Sequence, residues 1–183
     1  MNHRSPSALA FHMMRLLFGL RDRLRKPTDI LRKAGVRSGM TVLDFGCGPG
    51  GFTIAAARLV GRGGRVYALD VNPLAIRTVE RTAERAGLYN IRTILGSSTV
   101  GVLEDSVDLA LLYDVLHSLP HPDVVLRDLH RILKRDGLLS VGDHHLPKAL
   151  VFSTVTSGGL FVLTESDRRR LLFEKARKDK VTT

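Results

Sequence analysis

The sequence contains a single cysteine, Cys47, among 183 residues. One thiol cannot form an intramolecular disulfide or a metal site built on several cysteines, so we expect a reducing, cytoplasmic environment. Long apolar runs are also lacking. The apolar patch near the N-terminus is interrupted by Arg15, falls short of the roughly 20 residues of a membrane span, and precedes no small-residue cleavage site. The sequence therefore predicts neither a signal peptide nor a transmembrane segment.

Acidic residues are outnumbered by basic ones, 18 against 28, which gives a formal net charge of +10. Such a charge can indicate an anionic partner. The basic residues are scattered, however, and no aromatic-rich basic stripe accompanies them. The segments that follow predicted strands, "LDVNP", "LYDVLHSLP" and "VGDHHLP", contain no basic residue. Nucleic acid is therefore a possible partner but not the favoured one.

The chain length and a hydrophobic content of 44% suit one globular domain. Leucines at helical spacing predict an amphipathic helix over residues 7–25, so we divide the chain into this N-terminal part, 1–27, and a domain over 28–183. From there apolar runs alternate with helical patterns such as "PDVVLRDLHRILKRDG", which precedes the strand-like "LLSVGD". This alternation predicts an α/β fold with a mainly parallel sheet. The last two runs, "LFVLTE" and "RRRLLFEK", predict an antiparallel hairpin.

A glycine run, "VLDFGCGPGGFT", joins the first predicted strand to a helix. Gly46, Gly48 and Gly51 fit G-x-G-x-x-G, and Asp70 ends the next strand, a pattern that nicotinamide dinucleotides and S-adenosylmethionine can both use. Asp44 helps to separate the two ligands, because its charge would repel a pyrophosphate but attract an ammonium or a sulfonium. Asp70 can accept hydrogen bonds from both ribose hydroxyls. Asp44 therefore favours S-adenosylmethionine, with a nicotinamide oxidoreductase as a remote alternative.

Four segments resemble the successive motifs of class I S-adenosylmethionine-dependent methyltransferases, particularly the small-molecule type related to ubiquinone and menaquinone biosynthesis. They are "VLDFGCGPGGFT", "VYALDVNP", "SVDLALLYDVLHSL" and "VLRDLHRILKRDGLLSV", and the resemblance covers residues 28–174. It implies a Rossmann-like seven-stranded sheet of order 3-2-1-4-5-7-6, with strand 7 antiparallel and helices on both faces. It also implies methyl transfer from S-adenosylmethionine to a small or medium organic acceptor.

The same resemblance implies roles for individual residues. Asp44, Gly46 and Gly48 would hold the methionine end of the cofactor. Asp70 would hold the ribose, and Val71 and Asn72 would flank the adenine. Ser97 stands where the family usually has an aspartate for the adenine amine. The full set implied to bind the cofactor is Asp44, Gly46, Cys47, Gly48, Gly50, Asp70, Val71, Asn72, Ser97, Ser98, Tyr113 and Asp114.

Methyl transfer is an in-line displacement, and it needs a base only when the acceptor must lose a proton. Histidine suits that role near neutral pH. His117 follows the fourth predicted strand, and His144 and His145 follow the fifth, so the predicted catalytic residues are these three histidines and Asp114. The histidines could instead pack and hydrogen-bond near the site. A metal site is not predicted, because no helical H-x-x-x-H spacing supports it.

Only "HHLPKALVFSTVTSGG" separates the fifth and sixth predicted strands, which leaves room for one short helix. We therefore expect the lid over the acceptor to come from the N-terminal helix, from a partner subunit in a possible homodimer, or from the substrate itself. Methylation of RNA or protein stays open as an alternative. So does a non-catalytic S-adenosylmethionine-binding protein, because a fold alone does not establish a function.

Overall fold

The computed structural model describes residues 27–168 and 170–176. The helix expected over residues 7–25, and with it the expected N-terminal lid, lies outside these residues. The described helices are α1 (Pro27–Lys33), α2 (Gly51–Val60), α3 (Pro73–Arg85), α4 (Pro122–Ile132) and α5 (Lys148–Thr156), with a short 3₁₀ turn at Leu116–Ser118. The strands are β1 (Thr41–Phe45), β2 (Arg65–Asp70), β3 (Ile91–Leu95), β4 (Val107–Tyr113), β5 (Leu133–Gly142), β6 (Phe161–Ser166) and β7 (Leu171–Lys175).

The seven strands form one sheet of order β3-β2-β1-β4-β5-β7-β6. Strands β1, β2 and β3 pair in parallel, as do β4 and β5, whereas β7 is antiparallel to both β5 and β6. The predicted α/β fold and its strand order are therefore confirmed. The chain divides into two compact units, the first ending at Ser97 and the second beginning at Ser98.

The first unit is built around short apolar strands. Val42, Leu43 and Val66 are fully buried, as expected for parallel strands that are covered by helices. Helix α3 starts sharply because the side chain of Asn72 accepts a hydrogen bond from the N–H of Leu74, and Pro73 then takes the first helical position. The start of α3, just after Asp70 at the end of β2, is thus fixed by a side-chain cap.

The second unit contains one departure from prediction. The helical pattern "PDVVLRDLHRILKRDG" was expected to run to Gly137, but α4 ends at Ile132 and β5 begins at Leu133. Leu133 pairs with Val107, so sheet pairing overrides the local helical periodicity. A register shift follows before Leu138, and Gly137 lies within it. A Cβ on Gly137 would stand 2.9 Å from the carbonyl oxygen of Val107, so only glycine fits there without a shift.

The predicted terminal hairpin is present as β6 and β7. Arg170 lies buried beside its turn, with Nη2 donating to Glu165 Oε1 at 2.7 Å and Nε 3.1 Å from Asp167 Oδ2. A buried guanidinium needs such partners to offset the loss of water. In the described part of the chain, none of the helices combines the length and the apolar character that crossing a membrane requires.

Candidate cofactor and proton-transfer sites

The glycine loop after β1 turns through three left-handed positions. Gly46, Gly48 and Gly50 have φ values of 76°, 51° and 90°, which other residues rarely adopt. A Cβ on Gly50 would also lie only 2.8 Å from Cγ2 of Val79. Glycine is therefore required by the backbone here, and the loop exposes peptide groups without side chains before helix α2 begins at Gly51.

Asp44 is a buried carboxylate at the base of this loop. Its residue is only 3% exposed, and Oδ2 accepts a hydrogen bond from Thr53 Oγ1 at 2.6 Å. Burial raises the pKa of Asp44 to about 6, although the hydrogen bond from Thr53 opposes the rise, and the charge of Asp70 adds to it. A buried carboxylate near a second carboxylate is stabilised by a cation and destabilised by an anion. The ammonium and sulfonium of S-adenosylmethionine fit this requirement, whereas a pyrophosphate does not.

Asp70, at the end of β2, holds the loop in place. Its Oδ2 accepts from the N–H of Gly48 and its Oδ1 from the N–H of Asn72, each at 2.8 Å. Burial raises the pKa of Asp70, while these backbone N–H groups lower it. Each oxygen keeps a lone pair, so the same carboxylate can also accept from a pair of hydroxyls. Asp70 therefore fits a ribose while it positions the glycine loop.

Two residues of the predicted cofactor set have structural roles in the first unit. Asn72 is buried and serves as the N-cap of α3. Cys47 packs its side chain against Ala68, Ile76 and Val79. Burial raises the pKa of the Cys47 thiol far above its ordinary range, so it stays protonated and is a poor nucleophile. Any contact of Cys47 with a ligand would have to use its backbone.

The loop after β3 is anchored by a cluster that sequence reasoning missed. In the second unit, the N–H of Thr99 donates to Asp128 Oδ2 at 2.7 Å, and Arg131 Nη2 donates to Thr99 Oγ1 at 3.0 Å. Asp128 and Arg131 also pair with each other across one turn of α4. The i, i+3 spacing of Asp128 and Arg131 was the sequence signal that could have indicated this cluster. Ser97 and Ser98, which precede this anchor, are exposed.

The loops after β4 and β5 form two crossed aspartate–histidine pairs in the second unit. Asp143, which follows β5, accepts from Nδ1 of His117 at 2.9 Å, and its side chain is 0% exposed. Asp114, which follows β4, accepts from Nδ1 of His144 at 2.6 Å. The ring of His145 lies between the other two, with centroids 4.3 Å from His117 and 3.8 Å from His144. All four predicted catalytic residues therefore lie together, joined by Asp143.

Asp143 organises this cluster. Besides the His117 ring, its carboxylate accepts from the N–H groups of His117 and His145, at 3.0 and 2.9 Å. Burial alone would raise the pKa of Asp143, but the hydrogen bonds from His117 and the backbone lower it, so it stays ionised. With the carboxylate accepting from Nδ1–H of His117, Nε2 is the nitrogen that can take up a proton. The His117 side chain is 30% exposed, so part of its ring is open to solvent.

Tyr113 lies at the end of β4, half-buried, with its hydroxyl 2.6 Å from Ser140 Oγ. Asp114 follows with a left-handed φ of 55°, which is unusual for a residue other than glycine and is stabilised by its bonds to the backbone and ring of His144. Within residues 27–168 and 170–176, no three histidine, cysteine, aspartate or glutamate side chains are grouped so as to hold a metal ion.

The sheet order, together with a glycine loop flanked by carboxylates, defines a Rossmann-like domain of the methyltransferase type. A family model described as a methyltransferase domain matches residues 36–181. The chain belongs to this methyltransferase domain family. The predicted class is thereby confirmed, as is S-adenosylmethionine as the cofactor of that class.

The chain is similar to several known proteins. It is 30% identical over 139 residues to demethylmenaquinone methyltransferase from Geobacillus stearothermophilus, covering 74% of this chain and 59% of the relative. It is 29% identical over 124 residues to demethylmenaquinone methyltransferase from Staphylococcus aureus, covering 67% and 51%. The crystal structure of a SAM-dependent methyltransferase from Aquifex aeolicus superposes with a TM-score of 0.71 at 21% identity, covering 81% of this chain and 88% of that one. The chain thus spans between half and three fifths of the length of these two curated relatives.

Proposed function

We propose that the protein is an S-adenosylmethionine-dependent methyltransferase that acts on a small or medium organic acceptor. The observation that carries the proposal is Asp44, a buried carboxylate with a raised pKa at the base of a left-handed glycine loop. Burial without a cation costs stability, so the residue is best explained by a positively charged ligand. Family membership supports the same conclusion.

In this proposal the first unit binds the cofactor. Asp44 faces the positively charged methionine end, Gly46 and Gly48 allow close backbone approach, and Asp70 accepts hydrogen bonds from the ribose hydroxyls. Val71, half exposed beside Asp70, offers an apolar surface for the adenine. When bound, S-adenosylmethionine supplies an activated methyl group, so the protein's task is to orient the acceptor and exclude water.

The second unit moves the acceptor's proton. His117 Nε2 takes up the proton, and Asp143, which is hydrogen-bonded to Nδ1, stabilises the imidazolium that results. Asp143 acts through His117, so it is a positioning residue. His144 is held in the same way by Asp114 and is the second histidine to test. The backbone N–H of His145 donates to Asp143, and its ring packs against the rings of His117 and His144.

Demethylmenaquinone is the first acceptor to test, because the two relatives are named for it. We also propose a cytoplasmic location, which the single, buried cysteine supports. The segments around the proposed proton-transfer site carry no lysine or arginine until Lys148, which favours an uncharged acceptor over a nucleic acid.

The experiment is an assay of S-adenosylhomocysteine release with a panel of phenols and with demethylmenaquinone kept reduced as its hydroquinone, the form that has a nucleophilic ring and hydroxyl protons. Asp143→Asn should lower kcat by about a hundredfold or more, as expected when a base is no longer oriented, and should leave the KM for S-adenosylmethionine unchanged. Asp123→Asn is the matched control, since it breaks an exposed ion pair with Arg127 and should not change either constant. Full activity in Asp143→Asn, or an equal loss in both variants, would contradict the assigned role. If the wild-type protein shows no activity with any of these acceptors, that result would count against catalysis itself.

A further inference from the structure

The first unit contains a cavity that the proposed function does not use. Its volume is about 780 Å³, and it is formed by the end of α2, the turn into β2 and the segment between α3 and β3. Arg65, which lines it, is the first residue of β2, whereas Asp70 at the proposed cofactor site is the last. Five strand steps separate the two residues by about 16 Å. The cavity is therefore distinct from the proposed cofactor site.

Four arginines converge on this cavity: Arg58, Arg62, Arg65 and Arg92. All four are exposed, and no carboxylate belongs to the cavity lining. In the described part of the chain, none of the four forms an ion pair, although other arginines of the protein do. Guanidinium groups that share one concavity without an anion repel one another, and a phosphate would relieve that repulsion.

The end of helix α2 also borders the cavity and would ordinarily disfavour an anion, because its last carbonyl oxygens carry partial negative charge. Asn90 offsets this effect. Its Nδ2 donates to the carbonyl oxygens of Ala57 at 2.9 Å and Gly61 at 2.8 Å. The same two bonds tie the segment before β3 to the end of α2, and both of these lie in the cavity lining.

Tyr89 adds a flat aromatic surface to the cavity. It is 91% exposed, the most exposed large hydrophobic residue in the described chain. Gly87, also in the lining, presents no side chain beside it. An exposed aromatic ring can stack on a planar ring of a ligand. The arginines beside it can then bind negatively charged groups attached to that ring.

We propose that this cavity binds a nucleoside polyphosphate, with the phosphates on the arginines and the base stacked on Tyr89. The volume falls within the usual range of about 300 to 1,000 Å³ for small-molecule sites. A single aromatic residue in one concavity suits one nucleotide, whereas single-stranded nucleic acid is bound by a groove with successive stacking residues. The site would give the protein a second ligand independent of methyl transfer.

The test is calorimetric titration of the full chain with ATP in the presence of saturating S-adenosylhomocysteine, which keeps ATP from the proposed cofactor site. We expect binding that weakens tenfold or more in the double variant Arg62→Gln with Arg92→Gln, since hydrogen bonds to charged groups are lost. The control, Arg81→Gln with Arg85→Gln, removes the same charge from exposed positions of α3 outside the lining and should stay within twofold. Tyr89→Ala should weaken the binding of ATP by about fivefold or more and leave the binding of inorganic tripolyphosphate unchanged.

Three results would overturn the proposal. The first is no binding of ATP by the wild-type chain, and the second is an equal loss in the control double variant, which would show only general attraction to a basic surface. The third is tighter binding of a 12-nucleotide RNA than of ATP through the same arginines, which would assign the surface to nucleic acid. S-adenosylhomocysteine affinity serves as the folding control, and it should be the same in all variants.

Discussion

At the scale of single residues, Asp44 shows a conflict between stability and binding. Its pKa of about 6 lies above the ordinary value of 3.8, so between these pH values the folded chain holds a proton that the unfolded chain has lost. The stability that Asp44 contributes is therefore present below pH 4 and is lost as the pH rises through about 6. At neutral pH the ligand-free protein carries a buried negative charge, and a cationic ligand would compensate for it.

This conflict gives opposite predictions for Asp44→Asn. The substitution keeps the shape and the bond from Thr53 but removes the charge, so the ligand-free variant should be more stable at pH 7.5 by roughly 2 to 3 kcal/mol. It should bind S-adenosylmethionine at least tenfold more weakly. Urea denaturation and calorimetry measure the two effects. In the wild type, cofactor affinity should fall below about pH 6 as Asp44 is protonated, and a variant with unchanged affinity and unchanged pH dependence would remove Asp44 from the site.

At the scale of structural elements, the glycine loop makes a separate prediction. Gly48 has a φ of 51°, and its N–H donates to Asp70, so a branched side chain there would strain the backbone and occupy space beside the proposed ligand. Gly48→Val should abolish cofactor binding with the fold retained, as judged by circular dichroism. Gly63→Val is the control, since a Cβ at Gly63 meets no atom within 4 Å. An unaltered dissociation constant for the cofactor in Gly48→Val would show that the glycine loop is not part of the cofactor site.

The predicted N-terminal helix is the element that the lid hypothesis depends on. We expect that deletion of residues 1–25 preserves cofactor affinity and lowers turnover, because only the acceptor side would lose its cover. Calorimetry with S-adenosylhomocysteine and the release assay separate these effects. A truncated chain that fails to fold would show instead that the segment packs on the core, and unchanged turnover would exclude the lid role.

The elements that could be predicted from the sequence are those whose local and tertiary preferences agree. Strands β1 and β2 are short, mostly apolar runs, with an aspartate as the penultimate residue of β1 and as the last residue of β2. The glycine pattern between them predicts a tight turn into a helix. The boundary of α4 could not be predicted, because Leu133 continues a helical pattern and only its pairing with Val107 makes it a strand. Sheet pairing is a long-range interaction that a local pattern does not contain.

The candidate proton-transfer site shows the same limit. His117, His144, His145 and Asp114 could be named from their positions after strands. Which aspartate pairs with which histidine could not be predicted. Asp143 and its partner His117 are 26 residues apart in the sequence, and Asp114 and His144 are 30 residues apart. This crossed arrangement depends on the strand register of β4 and β5. Thr53, the partner of Asp44, was likewise hidden inside an apolar helix pattern.

At the scale of the whole molecule, the net charge and the charge of the proposed cofactor site have opposite signs. The formal net charge of the chain is +10, whereas the proposed cofactor site contains two carboxylates. General attraction to polyanions is screened by salt. Binding of a cationic cofactor at buried carboxylates should be far less sensitive to ionic strength, so the two properties can be measured independently.

The assignment of the glycine loop to S-adenosylmethionine is tested most directly by calorimetric titration of the full chain with S-adenosylmethionine and, separately, with NAD at pH 7.5. We predict saturable binding of S-adenosylmethionine and none of NAD. Asp70→Ala should weaken the S-adenosylmethionine complex by at least about 1.5 kcal/mol, because it removes both the proposed ribose contact and the support of Gly48. Tight binding of NAD together with no binding of S-adenosylmethionine would contradict this cofactor assignment.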